Sequence, residues 1–412
     1  MGSYDVVVAG GATAAYTAAL AAAEAGARTA LLEPTDWIGG QLTSSGVPAV
    51  DEAWHKVLVP GSDEVHVNVA TVARDPANMN QRFRSMLMAV RDAKRCWVSR
   101  FCFEPEQFLR QYLEPLQAQS GDRLVVFHDT VVKKVETRGD RIVSITAIRR
   151  MPRADVAYAG YDRPLSEDLL DWYSAEPSPR FDKRVLHFAA DGHAVFIDAT
   201  EWGELLVLAD APYLQGTDEA GQPINDQCGQ CISYDFVQEL HAEAVTDSAP
   251  EPQVGHLGLG MYRDRADAWE KIWTYRRIRC RALEPAIGDL SLQNWGYSVE
   301  RQEGGNDYPF GYVFLNIAES ADQVADWAGG VNLAVLRAAE DRAFAWHHWF
   351  KNAAPPTITP ERINMSVGTL GTGHGLAKMP YIRDTRRSVG LDGFVLRFAD
   401  LTAEYPARTG TR

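Results

Sequence analysis

The chain has 412 residues, of which 46% are hydrophobic and 23% charged, an ordinary globular composition with enough length for a large core and two interleaved domains. Its formal net charge of −14 argues against a nucleic-acid or anionic-membrane surface and otherwise reads as solubility; the partner expected is a small-molecule substrate. No apolar run of about 18 residues occurs, the N-terminus lacks a basic region, and the five cysteines are an odd number, so no membrane span is expected and reduced thiols in a cytoplasm are.

In chain order, Asp5 to Ala9 reads as a buried strand, followed by the turn Gly10-Gly11-Ala12-Thr13-Ala14-Ala15. An Ala-rich helix over 14–25 stops at Gly26, and a second strand, Thr29 to Leu32, ends on Glu33. This is the order of a dinucleotide-binding βαβ unit: a tight turn for close approach of a pyrophosphate, a helix N-terminus facing it, and an acid for a ribose hydroxyl. Ala12 and Ala15 stand where G-x-G-x-x-G has its second and third glycines. A glycine- and hydroxyl-rich loop follows, Glu33-Pro34 through Gly39-Gly40-Gln41-Leu42 to Gly46, which an NAD-only domain does not need.

At this point the chain resembles the FAD-dependent oxidoreductases of the glutathione-reductase-like superfamily, and more narrowly a bacterial group with Gly-Gly-x-Leu-Thr after the ribose acid. The resemblance implies FAD, with Glu33 on the adenosine ribose and Gly39-Gly40 near the pyrophosphate and ribityl chain. It implies an α/β fold: a Rossmann-like FAD-binding domain, with a parallel sheet and a β-meander, and an inserted mixed α+β substrate domain. The FAD domain is then expected over 1–50, 96–150, 185–211 and 366–412, and the substrate domain over 212–365.

Residues 51–95 read as an excursion toward the substrate side, with a helix near Met79 to Ala93. Trp97 to Phe103 returns, and Glu104-Pro105 opens a helix with Phe108, Leu109, Tyr112 and Leu116 on one face. Cys96 to Ser99 and Phe103 to Pro105 add to the resemblance. Arg123 to Phe127 is expected as the third parallel strand, and Val131–Glu136 with Arg141–Arg149 as a hairpin turning at Gly139-Asp140. The resemblance implies that Val132 offers its backbone to the adenine. Residues 151–184, running on toward 190, read as a long surface loop or lid. Ala194 to Thr200 is the next buried strand; by resemblance its end, Ala199-Thr200, lies close to FAD, with Glu201 where the wider superfamily has glycine.

In the second domain, Asn294-Trp295 and Asn306-Asp307-Tyr308 resemble a segment of the bacterial group, and a helix is expected over 332–350 with Leu333, Leu336 and Phe344 in the core. Pro380 to Arg387 is also characteristic of the group. The group continues beyond this block to a strand and helix that close over the flavin; the chain reaches Arg412 before that segment, so a fragment is expected.

The ring of a flavin carries the redox step, so a general base need not sit in a motif. Candidates are His374, between two glycines, Asp307 and Tyr308, and Arg383, which suits an anionic substrate. Two arginine groups (Arg276, Arg277, Arg279, Arg281; Arg383, Arg386, Arg387) either pair with acids or bind anions, the second including the FAD pyrophosphate as a target. Cys228-Gly229-Gln230-Cys231 lacks the partners of a zinc site and reads as a structural pair of thiols; no metal is expected. His347-His348, adjacent on a helix, point apart and cannot chelate together. The function expected is oxidation of a C–O or C–N bond by hydride transfer to FAD. The alternatives are an NAD-linked dehydrogenase and a flavin-less binding protein. Oligomeric state and substrate identity do not follow from the residues.

Overall fold

A computed structural model describes residues 3–50, 81–90, 96, 101–190, 193–217, 224–247, 249–253, 259, 272–298, 300–353 and 360–396. Its centre is a four-stranded parallel sheet. β1 (Val6–Ala9) and β2 (Thr29–Leu32) are short apolar runs with almost every side chain buried, as inner strands covered on both faces must be. Helix α1 (Thr13–Glu24) joins them. Its alanines Ala15, Ala19 and Ala23 lie on the buried face, where their size allows close packing on the sheet. Gly26 leaves the helix at φ +102°, a conformation that costs other residues strain. β3 (Leu124–Phe127) pairs with β2, and a later strand, Val195–Asp198, pairs with β1 in the register Val6–Val195 to Ala9–Asp198. The carboxyl ends of these strands therefore open on one side, at Gly10, Glu33 and Ala199.

A three-stranded antiparallel meander follows β3: β4 (Thr130–Arg138), β5 (Arg141–Pro152) and β6 (Phe181–Ala189). Here the expectation of a loop or lid over 151–184 is corrected. β5 runs to Pro152, Leu165–Trp172 is a helix, and β6 pairs with β5 along its whole length. The helix buries Leu165, Leu169 and Trp172, spaced four and three residues apart, against the core. β6 was hidden because charged residues interrupt it: Asp182, Lys183 and Arg184 leave few apolar positions to mark a strand.

The helix expected after Glu104 forms in three pieces, Pro105–Phe108, a π-turn at Leu109–Leu113, and Glu114–Gln119. Pro115 has no N–H to donate back into the helix, and a widened turn directly before it absorbs the missing bond. Of the excursion, 51–80 and 91–95 lie outside the described residues, as do 97–100; Gln81–Ala89 is helical.

The second region is built on an antiparallel sheet, in the order Arg277–Arg279, Leu290–Gln293, Phe236–Leu240, Ile363–Met365. The long helix Leu333–Ala353 lies against it, with Leu336 and Phe344 buried. His347 is also buried there, its Nδ1 2.9 Å from Gln238 Nε2 and its Nε2 3.0 Å from Asp247. The two regions are stitched together by residues 376–383. Met379 N donates to Ser44 O, Ala377 N to Asp235 O, and Tyr381 exchanges backbone bonds with Ser233.

Two cysteine expectations change. Cys96 and Cys102 form a disulfide, so they are not the reduced thiols expected. Cys228, Cys231 and Cys280 form no disulfide. Among the described residues no helix is long and apolar enough to cross a membrane, and no group of three or more His, Cys, Asp or Glu is placed to hold a metal ion.

Candidate functional site

At the carboxyl ends of β1 and β2 the backbone leaves no room for side chains. Gly10 sits at φ +105°, and a Cβ there would lie 2.1 Å from Ala199 O. A Cβ on Gly11 would lie 1.5 Å from Glu33 Oε2. The loop after Glu33 folds back onto this turn: Gly39 N donates to Gly11 O at 3.0 Å, and Thr13 Oγ1 donates to Gly39 O at 2.8 Å. Gly40, at φ +54°, packs on Ala12, where a Cβ would come within 2.6 Å of Ala12 Cα. The structure thus brings together Gly10, Gly11, Ala12, Thr13, Glu33, Gly39, Gly40, Ala199 and Thr200 from four separate stretches. Ala15 is buried on the sheet side of α1, whereas Ala14 and Gln41 face solvent, and Leu42 packs into the core outside α1.

Glu33 is only 1% exposed. Its Oε1 accepts from Thr35 N and Thr35 Oγ1, both at 2.7 Å, while Oε2 has no partner. Burial pushes the carboxyl up to about 8, against the two Thr35 bonds, which pull it down. A cleft of about 20 Å³ opens beside it between Gly10, Pro34, Val132, Trp172, Thr200 and Trp202. Four further buried polar atoms in or next to this cleft have no partner: Glu201 Oε1, Trp172 Nε1, Trp202 Nε1 and Arg150 Nη1. Each such group costs about 1–3 kcal/mol while it lacks a partner, and others lie away from the cleft, among them Trp273 Nε1 and His128 Nδ1. A nucleotide has the matching chemistry: ribose hydroxyls donate, purine ring nitrogens accept.

A buried ionic frame holds the walls. Arg150 donates to Pro34 O and to Tyr161 Oη at 3.1 Å, pairs with Asp129 at 3.3 Å, and lies with its guanidinium carbon 3.4 Å from the Trp172 ring centroid. Tyr161 Oη donates to Asp129 at 2.6 Å. Lys378, from the far end of the chain, pairs with Asp36 at 3.0 Å. On the opposite wall Glu204 accepts from Tyr173 Oη at 2.7 Å and Trp327 Nε1 at 3.0 Å; burial raises Glu204 and Glu201 each to about 7.

A second polar cluster abuts the Gly46 end of the loop. Asp235, fully buried, accepts from Asn294 Nδ2 at 3.0 Å, and burial drives its carboxyl well above the usual range. Asn306 Nδ2 donates to Tyr234 O and Gln293 O. Beside it Arg383 donates to Asp307 Oδ1 at 2.9 Å, Ser233 Oγ at 3.0 Å and Cys231 O at 3.0 Å; Ser233 Oγ also donates to Asp307. Asp307 and Arg383 therefore meet, with Tyr308 next in the strand. His374 stands apart: its Nδ1 accepts from Leu376 N, and burial, with Lys378 adding to it, holds the ring down to about 3, so it stays neutral.

The arginine groups are bound to protein. Arg277 pairs with Asp289 and Arg279 with Glu104; Arg386 is buried and donates to Gln215, Trp202 O, Ser320 and Gly330 O. Arg387 donates to Gly216 O. These partners correct the idea that the second group faces a pyrophosphate. Sequence reasoning missed Arg150, Trp172, Asp235 and Lys378 as parts of these sites. Only Trp202 carried a signal, following the Ala199-Thr200 strand end.

The family model described as FAD dependent oxidoreductase matches residues 5–160 and 187–407. The chain belongs to the FAD-dependent oxidoreductase family. Its cofactor is FAD. A search of curated proteins finds no match. Solved structures similar to this FAD-dependent oxidoreductase include a geranylgeranyl bacteriochlorophyll reductase-like protein from Thermoplasma acidophilum. It is 15% identical with a TM-score of 0.25, and the likeness covers 61% of this chain and 52% of that one. The OxyS anhydrotetracycline hydroxylase from Streptomyces rimosus is 12% identical with a TM-score of 0.29, over 59% of this chain and 39% of that one. A 3-ketosteroid-delta4-(5alpha)-dehydrogenase from Rhodococcus jostii RHA1 is 12% identical with a TM-score of 0.27, over 83% and 96%. The chain thus spans about half the length of the first of these and two fifths of the second.

Proposed function

We propose that this FAD-dependent oxidoreductase oxidises a small organic substrate at a C–O or C–N bond, with hydride transfer to FAD and later return of the electrons to a separate acceptor. The observation that carries the reading is the unpartnered Glu33 Oε2, buried against the Gly10-Gly11 turn at the end of β2. Bound FAD supplies the two-electron acceptor. Glu33 accepts ribose hydroxyls; Gly10, Gly11, Ala12 and Thr13 at the α1 N-terminus, with Gly39 and Gly40, hold the diphosphate; the Val132 backbone and Pro34 border the adenosine. Ala15 packs the helix that carries this turn.

For the substrate half, Asp307 is the group that takes the proton released as the substrate loses hydride. Arg383 and Ser233 hold its carboxylate in place, and Tyr308 walls the same side. Arg383 gives the locality the positive charge that favours an anionic substrate group. His374, kept neutral by burial, is a positioning element for the 372–376 turn. The net charge of −14 supports a small-molecule partner over nucleic acid. The family match speaks against the NAD-linked and flavin-less alternatives.

The test is a visible spectrum followed by anaerobic titration with amines and alcohols. A yellow protein bleached by one substrate class, with Asp307→Asn keeping its flavin and bleaching at least about a hundredfold more slowly, is expected. A protein that takes up no FAD sinks the reading, and an unchanged rate in Asp307→Asn removes that residue from it.

A further inference from the structure

Three aromatic rings gather beside Asp307. Asp307 N donates to Trp295 O at 3.1 Å, which sets the small hairpin of Tyr297–Ser298 and Glu303–Gly304 next to the strand Asp307–Tyr308. The Phe310 ring stands edge-on to both tyrosines. Its centroid lies 5.4 Å from that of Tyr297 at 72° and 5.6 Å from that of Tyr308 at 81°. Both tyrosines are half-buried, yet Phe310 is 55% exposed. Edge-to-face rings attract one another beyond their area burial, so a further ring arriving from solvent can join this set and cover the open side of Phe310.

The buried side of the rings is closed by Arg342, from the long helix. Its Nε donates to Gly305 O at 2.9 Å, and its guanidinium carbon lies 5.5 Å from the centroids of both Tyr297 and Phe310. Arg342 also acts electrostatically on Asp307 and Tyr308. With Arg383 on Asp307 at 2.9 Å, two guanidinium groups face one carboxylate, and burial drives the next acid, Asp235, toward its neutral form. The locality is therefore net positive. A cation already against the ring faces disfavours a second, so the rings are not a cage for an ammonium group; the charge suits an anion. The approach to Asp307 from this side is clear. Its Oδ1 accepts from Arg383 and Ser233, while Oδ2 looks toward the exposed Gly296, where an added Cβ would lie 3.7 Å away.

We infer that Tyr297, Tyr308 and Phe310 seat an aromatic ring of the substrate, and that the substrate is an amino or hydroxy acid with an aryl side chain, its carboxylate drawn by Arg342 and Arg383. This deepens the proposed function and rests on its reading of Asp307 as the proton acceptor. The balance of the step is unchanged: hydride leaves the substrate carbon for FAD, the O–H or N–H proton goes to Asp307, and a keto or imino acid remains.

The probe is 3-phenylpropanoate, which carries the ring and the carboxylate but no hydroxyl or amine to oxidise, titrated calorimetrically into the flavin-loaded protein. In 4-methylpentanoate a branched alkyl group replaces the ring, and 3-phenylpropanol lacks the anionic charge. Wild-type protein is expected to bind 3-phenylpropanoate about tenfold tighter than either, the size of one aromatic pair or one charge contact. Phe310→Ala alters an exposed side chain, so it should fold with an unchanged Tm and bind the two acids alike. In anaerobic flavin reduction by phenylalanine or 3-phenyllactate it should raise the half-saturating concentration about tenfold and leave the limiting rate nearly unchanged, because the ring contact is made equally before and during the chemical step. Comparing ligands on wild-type protein survives a variant that fails to fold. Equal affinity for all three ligands, binding of none of them, or a Phe310→Ala protein that keeps the aryl preference each overturns the inference. An aryl preference lost in Phe310→Ala, together with Asp307→Asn bleaching at the wild-type rate, leaves the aromatic seat standing and removes Asp307 from its role.

Discussion

Glu33 makes a quantitative claim on pH. Its carboxyl is raised from 4.5 to about 8 by burial, so between those values the unfolded chain has released a proton that the folded apoprotein keeps. Stability contributed by the neutral acid is complete below about pH 4.5 and is lost as the pH rises to about 8. The loss is about 3 kcal/mol at pH 7 and about 5 kcal/mol above pH 8, at 1.36 kcal/mol per unit. Glu33→Gln cannot titrate, so the wild-type-minus-variant difference isolates this group from Glu201 and Glu204, which are raised by the same cause. From pH 5.5 to 7.5 the flavin-free wild type should fall by about 2.7 kcal/mol relative to the variant, roughly 3 °C in Tm for a chain of 412 residues. FAD should reverse the trend, because ribose hydroxyls donating to Oε2 favour the anion; uptake should release a proton, seen as a buffer-dependent calorimetric enthalpy. A difference curve flat to within about 0.5 kcal/mol over that range refutes the reasoning.

Other outcomes follow from the same structure. Gly11→Ala puts a methyl group onto the Glu33 carboxylate and should leave a protein that retains no FAD after desalting, checked by its absorbance spectrum. Arg386→Met leaves Gln215, Trp202 O and Gly330 O without their donor and should cost about 3 kcal/mol or more, read as a lower Tm and soluble yield in both the flavin-loaded and flavin-free protein. Unreduced, denatured protein should expose three thiols to a thiol reagent, since two of the five cysteines are paired. His374, held near 3, should contribute no step to the activity profile between pH 5 and 8, so His374→Gln should leave the shape of that profile unchanged.

The first fifty residues were legible because everything that shapes them is local. Apolar runs mark β1 and β2, and the acid stands next to the strand that presents it. The meander was half legible: its first hairpin turns at Gly139-Asp140, but β6 is identified only by pairing with β5, and three consecutive charged residues, Asp182, Lys183 and Arg184, interrupt it. The cleft walls were illegible for a different reason. Trp172 sits in an eight-residue helix too short to show a period, and Arg150, Asp129, Tyr161 and Lys378 meet only in three dimensions. For Asp307 and Arg383, resemblance flagged each block, yet only the fold showed that they touch.

The stretch around Lys378 and Met379 has a practical consequence for anyone wishing to dissect the enzyme. Met379 in the cleft lining and Lys378, a buried counterion of the opening βαβ unit, are both encoded some 370 positions after that unit begins. Expressing the amino-terminal half by itself would leave the half-buried Asp36 without this cation and strip Met379 from the cleft. On the placement proposed above, cofactor capture would draw on the entire polypeptide and not on a detachable module.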